Sequence, residues 1–154
     1  MASKSSSGAN LENLVKAGSL HAEPTSRDEV QRLLADAEGS LRDSRTATLG
    51  AGSRFRLAYA AAFALATAAL RANGYRPVQG KGHRAMAFQA LEHTCGADKA
   101  MTITLVKSHE RRNVAEYEGG PGVSESEAKN LVDVADLLRV SVRDWLKKQR
   151  PDLL

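Results

Sequence analysis

The segment from Met101 to Gly122 contains residue types that can bind a charged ligand or move a proton. Met101, Leu105 and Val106 share one face of the helix that this segment predicts. Further along, the same face carries polar and ionisable residues: His109, Arg112, Asn113, Glu116 and Tyr117. Because burying an unpaired charge is costly, a core-facing stripe normally stays apolar. The change indicates either a helix end that emerges into solvent or a recognition or catalytic site on a rigid helix.

Each of these side chains suggests a particular chemistry. A histidine titrates near neutral pH and can move a proton, whereas a tyrosine, with an ordinary pKa of about 10, is a poor base at pH 7. Tyr117 could still donate a hydrogen bond or stack on a nucleobase. A structural alternative stays open, since Arg112 and Glu116 are four residues apart and could form a weak ion pair within the helix. Arg112, Asn113 and Glu116 could also form a hydrogen-bond network between helices or between two copies of the chain.

The histidines and the single cysteine do not form a metal-binding pattern. His93 and Cys95 are two residues apart, and His83 and His109 lie further away, whereas metal sites usually repeat tighter ligand spacings. We therefore expect neither a metal nor another cofactor. A single cysteine also excludes an internal disulfide and fits a reducing, cytoplasmic location.

Positive charge is concentrated in the middle of the chain. The net charge is only +4, but no acidic residue occurs between Asp43 and Glu92. That stretch contains seven cations: Arg45, Arg54, Arg56, Arg71, Arg76, Lys81 and Arg84. Such segregation predicts a polyanion site, an ordinary solvated surface or an interface with an acidic partner.

The elements that must position these residues are helices. A short helix is predicted from Asn10 to Gly18, and five longer ones over residues 26–46, 53–72, 83–94, 98–117 and 124–150. Ser26 with Glu29, and Ser124 with Glu127, have the spacing of capping boxes. The alanine-rich helix 53–72 is apolar on two sides, which predicts a central position with Tyr59 mostly in the core.

These segments predict an all-α fold, an up-and-down bundle of four to five main helices plus a short N-terminal helix, with no convincing strand. The 154 residues suit one domain, which we place at residues 26–150. It follows a disordered tail at residues 1–9 and a short helix and linker at residues 10–25. No apolar run reaches the length of a membrane span, so no membrane association is expected.

The order of features resembles the HEPN superfamily, the small all-α domains of prokaryotic toxin–antitoxin and defence systems. The alanine-rich helix ends in Asn73-Gly74-Tyr75-Arg76-Pro77, and a short helix opened by His83 follows. The next helix carries Arg112-Asn113 and closes on Tyr117 before a long last helix. The similarity covers roughly residues 26–148, and the Arg-Asn pair is its most specific part.

The resemblance implies a helical bundle that is often a homodimer. Family members that cut RNA without metal carry Arg, a polar residue and then His after four to six intervening residues, and two copies of this motif meet across the dimer. Arg112 and Asn113 match the first two positions, but Tyr117 stands where the histidine would be. His109, one turn before Asn113, could substitute, although it lies on the other side of Arg112 in the motif.

The sequence therefore leads to three expectations. The first is an RNA- or nucleotide-binding HEPN-type component of a toxin–antitoxin or defence system, without efficient catalysis, pairing with a nucleotidyltransferase protein. Its binding residues would be Arg112, Asn113, Glu116, Tyr117, Arg76, Lys81 and Arg84. The second is a metal-independent endoribonuclease whose catalytic candidates are Arg112, His109 and Tyr117. The third is a non-catalytic structural or adaptor bundle.

Overall fold

The computed structural model describes residues 2–80 and 82–154 of the chain, and helices dominate these residues. The helices are α1 (Ala2–Lys16), α2 (Arg27–Ser44), α3 (Ala51–Ala72), α4 (His83–Gln89), α5 (Leu91–Thr94), α6 (Lys99–Tyr117) and α7 (Glu125–Gln149). Two three-residue strands, β1 (Leu20–Ala22) and β2 (Tyr75–Pro77), and a 3₁₀ helix at Pro151–Leu153 complete the fold. The predicted all-α class is confirmed.

The four long helices α2, α3, α6 and α7 alternate in direction, as an up-and-down bundle requires. Arg54 at the start of α3 pairs with Glu125 at the start of α7, and Arg150 after α7 donates to the Ala72 carbonyl at the end of α3, so these two helices are parallel. Arg71 in the last turn of α3 pairs with Glu29 in the first turn of α2, which makes α2 antiparallel to α3.

Helix α6 is antiparallel to α7. Arg111 near its end pairs with Glu127 in the first turn of α7. The opposite end of α6 starts beside the end of α3, where the Asn73 amide donates to the Thr94 carbonyl. The end of α6 that carries the polar stripe therefore lies near the starts of α3 and α7.

The core is built around α3, as its two apolar sides predicted. Its alanines at 58, 61, 62, 66, 68 and 69 have no exposed surface. Small side chains let neighbouring helices approach α3 closely. Helix α3 is also long and apolar enough to cross a membrane, but 67% of that window is buried inside the bundle, as in the core helix of a soluble protein. The cytoplasmic location stays a prediction.

The sequence shows no sign of the two strands, and the expectation of no convincing strand was wrong for these two three-residue segments. Strands β1 and β2 pair in antiparallel register, with Leu20 opposite Pro77 and Ala22 opposite Tyr75. Three residues are too few to show the alternating pattern of a strand, and this pairing joins segments more than 50 residues apart. The strand pair fixes the linker before α2 against the end of α3.

Two helices also differ in extent from the sequence expectation. Helix α1 begins at Ala2 instead of Asn10, so it extends into the segment 1–9 that we expected to be a disordered tail. The helix predicted over residues 83–94 is divided at Ala90 into α4 and α5. Alanine is the best helix former, so nothing in the sequence marks that break.

Only one of the two predicted capping boxes is complete. Ser124 and Glu127 each bond the backbone N–H of the other at the start of α7. At the start of α2, Ser26 accepts from the Glu29 N–H, but the Glu29 carboxylate turns instead to Thr25, Arg71 and Arg76. An ion pair with a buried arginine is stronger than a bond to an exposed N–H, which explains the change.

Candidate functional site

The polar stripe of α6 emerges gradually from the core. Leu105 is fully buried, His109 and Asn113 are half-buried, and Tyr117 is 68% exposed. Helix α6 packs against α3 and α4 along this stripe. The site therefore has a floor made by those two helices and an open rim at the end of α6.

His109 is held by polar contacts on both ring nitrogens. Its Nδ1 lies 2.8 Å from the Tyr59 hydroxyl, and its Nε2 lies 3.4 Å from the Asn113 amide nitrogen. An amide nitrogen can only donate, so Nε2 is the acceptor and Nδ1 carries the proton and donates to Tyr59. The ring stacks on Tyr59 at a centroid distance of 6.1 Å and lies 6.5 Å from Phe88. The neutral imidazole is thereby fixed with its lone pair on Nε2.

Arg112 lies between two tyrosine rings. Its guanidinium carbon is 4.9 Å from the centroid of Tyr59 and 5.0 Å from that of Tyr117. Its Nη2 donates to the Tyr117 hydroxyl at 3.0 Å, and its Nε pairs with Glu116 at 3.2 Å. The side chain is only 15% exposed. The ion pair expected between residues four apart is present, but Arg112 also has stacking partners that position its guanidinium at the rim.

Arg84 on α4 supplies a second cation to the same region. Its guanidinium carbon is 4.6 Å from the centroid of the Phe63 ring, and Phe63 in turn packs edge-on against Phe88. The charge of Arg84 is close enough to act on both His109 and Tyr59. No acidic partner of Arg84 occurs among the described residues.

Burial and the two arginines change the acidity of the groups between them. Burial lowers the pKa of His109 below its ordinary 6.5, and the positive charges of Arg112 and Arg84 lower this pKa further. Burial raises the pKa of the Tyr59 hydroxyl above 10, which the same two arginines oppose. Both groups are therefore neutral at pH 7, and positive charge in the site comes from the arginines.

A small cavity of about 110 Å³ lies beside Arg112, between the start of α3 and the glycine-rich loop after α6. Arg56 and Glu116 also line it. Arg56 contacts only the Ser53 hydroxyl, at 3.4 Å, and has no acidic partner among the described residues. Two guanidinium groups thus face one opening, with Glu116 as the only acid in its wall.

Arg111 holds the glycine-rich loop that closes this cavity. Its Nη2 donates to the carbonyls of Pro121 and Gly122 at 3.0 and 2.8 Å. Its Nε pairs with Glu127 at 2.5 Å, which fixes the loop to the start of α7. Arg111 is therefore structural, whereas its neighbour Arg112 faces the site.

The predicted binding residues divide into two groups. Arg112, Asn113, Glu116 and Tyr117 lie together with His109, and Arg84 joins them from α4. Arg76 instead pairs with Glu23 and Glu29, beside the buried Arg71, in a cluster that holds the strand pair against α2. Lys81 lies outside the described residues.

Sequence reasoning missed Tyr59 and Phe63 as parts of the site, and it named Arg56 only as one of the seven cations of the acid-free stretch. All three lie on α3, and Tyr59 and Phe63 are one turn apart on the side that meets α4 and α6. The available signal was the placement of aromatic and cationic residues on an otherwise alanine-rich helix. Among the described residues, no three His, Cys, Asp or Glu side chains are grouped so that they could hold a metal ion.

The arrangement combines three arginines (Arg56, Arg84 and Arg112) with a neutral histidine and an exposed tyrosine ring. Guanidinium groups bind phosphate oxygens, and an exposed aromatic ring offers a stacking surface for a base. Comparison with protein-family models and with curated proteins gave no match to this chain. The function of the chain is therefore inferred from the geometry of the site.

Proposed function

We propose that the chain is an RNA- or nucleotide-binding helical bundle of the HEPN type, a component of a prokaryotic toxin–antitoxin or defence pair that acts by binding. The observation that supports this most directly is the position of Arg112 between the rings of Tyr59 and Tyr117. Stacking fixes the guanidinium plane without occupying all of its N–H donors, so Arg112 is preorganised for a phosphate.

Each side chain at the rim has a role in this proposal. Arg112 and Arg56 contact phosphate oxygens at the small cavity, and Arg84 attracts the polyanion from the α4 side. Tyr117, 68% exposed, stacks on a base or hydrogen-bonds to the ribose. Asn113 contacts Nε2 of His109 at 3.4 Å and so orients the ring, and a ligand that accepts from the Asn113 amide would release Nε2.

The test is the affinity for a fluorescently labelled single-stranded RNA, measured by anisotropy at several salt concentrations. A variant with Arg112→Gln should bind about tenfold more weakly and with a shallower salt dependence, because one phosphate contact is lost. Arg139→Gln is the matched control, since Arg139 pairs with Asp136 on the surface of α7. Equal affinities for the two variants, or no dependence on salt, would contradict the proposal.

A second function, metal-independent RNA cleavage, is favoured by one observation. Burial and the charges of Arg112 and Arg84 lower the pKa of His109, which favours the neutral imidazole that a general base needs. In this reaction the ribose 2′-oxygen attacks the adjacent phosphorus and its proton passes to His109. The bond from phosphorus to the 5′-oxygen breaks, and that oxygen takes a proton from water. Arg112 and Arg84 stabilise the added negative charge.

Cleavage is tested by incubating RNA with the protein in the presence of a chelator. Products that end in a 2′,3′-cyclic phosphate, lost in His109→Gln but kept in Tyr117→Phe, would establish the nuclease. Intact RNA at a large excess of protein would exclude it. If the chain is instead an adaptor, neither the unmodified protein nor Arg112→Gln should bind RNA. The substitution would then only lower the melting temperature.

Two partner predictions belong to the same proposal. A homodimer would bring two copies of the α6 rim together, and light scattering of the purified chain measures this directly. A nucleotidyltransferase partner would be recovered by co-expression with the neighbouring gene. A monomer at all concentrations would restrict the site to the residues of one chain.

A further inference from the structure

A second, larger cavity lies at the opposite end of the bundle from the arginine site. Its volume is about 560 Å³, within the range of cavities that hold small organic ligands. Residues from α1, α5 and the ends of α3 and α7 line it. None of the residues of the proposed RNA site contributes to it.

The wall of this cavity contains aromatic surface and one carboxylate without a counter-ion. Trp145 on α7 and Tyr75 on β2 both line the cavity. Glu92 on α5 lines it as well, and no basic side chain among residues 7–80 and 82–154, the part of the chain whose side chains are described, pairs with it. A carboxylate and an indole ring in the wall of one cavity favour a cation, since tryptophan gives the strongest cation–π interaction.

The only arginine in the wall is already neutralised. Arg150 donates two hydrogen bonds to Asp152, at 3.1 and 2.9 Å, and a third to the Ala72 carbonyl at 2.6 Å. Its charge is therefore balanced, and its donors are turned toward the protein. An anionic ligand would find no free cation here and would be repelled by Glu92.

The directions of α3 and α7 also favour a cation in this cavity. Helices α3 and α7 both end at this cavity, and Ala72 and Gln149 from their last turns line it. The C-terminal end of a helix has a partial negative charge, which favours a cation and disfavours an anion. The remaining polar groups are largely engaged: the Asn73 amide donates to two carbonyls, and His93 Nδ1 contacts Asn10 at 3.4 Å.

We infer that this cavity binds a small organic cation, an amine or quaternary ammonium with an apolar body, between the Trp145 indole and the Glu92 carboxylate. The indole contacts the apolar and cationic parts, and Glu92 neutralises the charge. This site is independent of the arginine site, since the two cavities share no residue.

The chain has one tryptophan, so emission excited selectively at the indole, beyond the absorption of the three tyrosines, reports on this cavity alone. We would titrate the full chain with benzyltrimethylammonium, with choline, and with 3,3-dimethylbutanol, the uncharged isostere of choline. The inference requires a saturable change in Trp145 emission with at least one cation. It also requires that choline bind at least about fivefold more tightly than its isostere, the effect of one partly desolvated charge contact.

The variant Glu92→Gln keeps the shape of the side chain and should weaken cation binding about fivefold. Glu118→Gln, at the exposed end of α6, is the matched control and should leave the affinity unchanged. Absence of a saturable change up to about 10 mM, ten times the dissociation constant of a millimolar binder, would overturn the inference. So would equal binding of choline and its isostere, a result that does not depend on any variant folding correctly.

Discussion

The Tyr59 hydroxyl lies 2.8 Å from Nδ1 of His109, and this contact joins the central helix of the bundle to the helix that carries Arg112. Tyr59 is buried, with 4% of its surface exposed, and its ring also stacks under the Arg112 guanidinium. One core side chain therefore orients both the imidazole and the guanidinium. The site residues on α6 therefore depend on α3 for their geometry.

The pKa of His109 should be below 6.5, because burial and the charges of Arg112 and Arg84 disfavour the protonated ring. Removing either charge, by Arg112→Gln or Arg84→Gln, should raise the pKa of His109 toward 6.5. NMR titration of the ring protons measures this value in each protein. A midpoint above 6.5 in the unmodified chain would contradict the arrangement.

The same shift predicts how stability depends on pH. Below pH 6.5 the unfolded chain binds a proton at His109 more readily than the folded chain, so stability should fall as the pH drops from about 6.5 toward the folded-state pKa. His109→Gln should remove this part of the dependence. Melting temperatures of the two proteins between pH 7.5 and pH 5.5 would show it.

The two tyrosines beside Arg112 should respond differently to loss of the hydroxyl. Tyr59→Phe leaves Nδ1 of the half-buried His109 without a partner and should lower the free energy of unfolding by about 1–2 kcal/mol. Tyr117→Phe changes an exposed group and should leave stability nearly unchanged while weakening RNA binding. Urea unfolding and RNA anisotropy on both variants separate the two roles, and equal destabilisation would show that Tyr117 is structural.

Arg71 and Arg76 contact the same two glutamates but should differ greatly in their effect on stability. The Arg71 side chain is 2% exposed and donates to the carbonyls of Glu23, Pro24 and Tyr75 as well as to Glu29. Arg71→Met should therefore lower the free energy of unfolding by about 2–5 kcal/mol, because a buried guanidinium loses four hydrogen bonds worth about 0.5–1.5 kcal/mol each.

Arg76, with 33% of its side chain exposed, provides the comparison. Arg76→Met should cost about 1 kcal/mol or less, because solvent can replace its partners. RNA affinity should not change in this variant, since Arg76 lies in the cluster that holds the strand pair. A clear loss of RNA affinity in Arg76→Met would show that Arg76 contributes to RNA binding.

Gly120 in the loop that closes the small cavity should not tolerate a side chain. A Cβ at this position would overlap the Val114 side chain and would lie 3.3 Å from the Val114 carbonyl oxygen. Gly120→Ala should cost about 1–3 kcal/mol, whereas Gly122→Ala, with no atom within 4 Å, is the matched control. Comparable melting temperatures for the two variants would mean that the loop has another arrangement.

The sequence by itself determined the helical class, the central place of α3 and the polar stripe on α6. Periodicity and capping residues act locally, so they can be read without knowing which segments meet. The same reasoning could not separate Arg112 from Arg76. Both are arginines of the same formal charge, and only the acids that approach from distant segments make one of them structural.

What only the tertiary structure decided is which side chains share an environment. Tyr59 belongs by its own segment to the core, and its contact with His109 spans 50 residues of chain. The break at Ala90 and the pairing of Leu20 with Pro77 likewise depend on packing between segments. Local sequence specifies helices, because their hydrogen bonds join near neighbours; sites and strand pairs join distant ones, and their partners are selected only when the bundle closes.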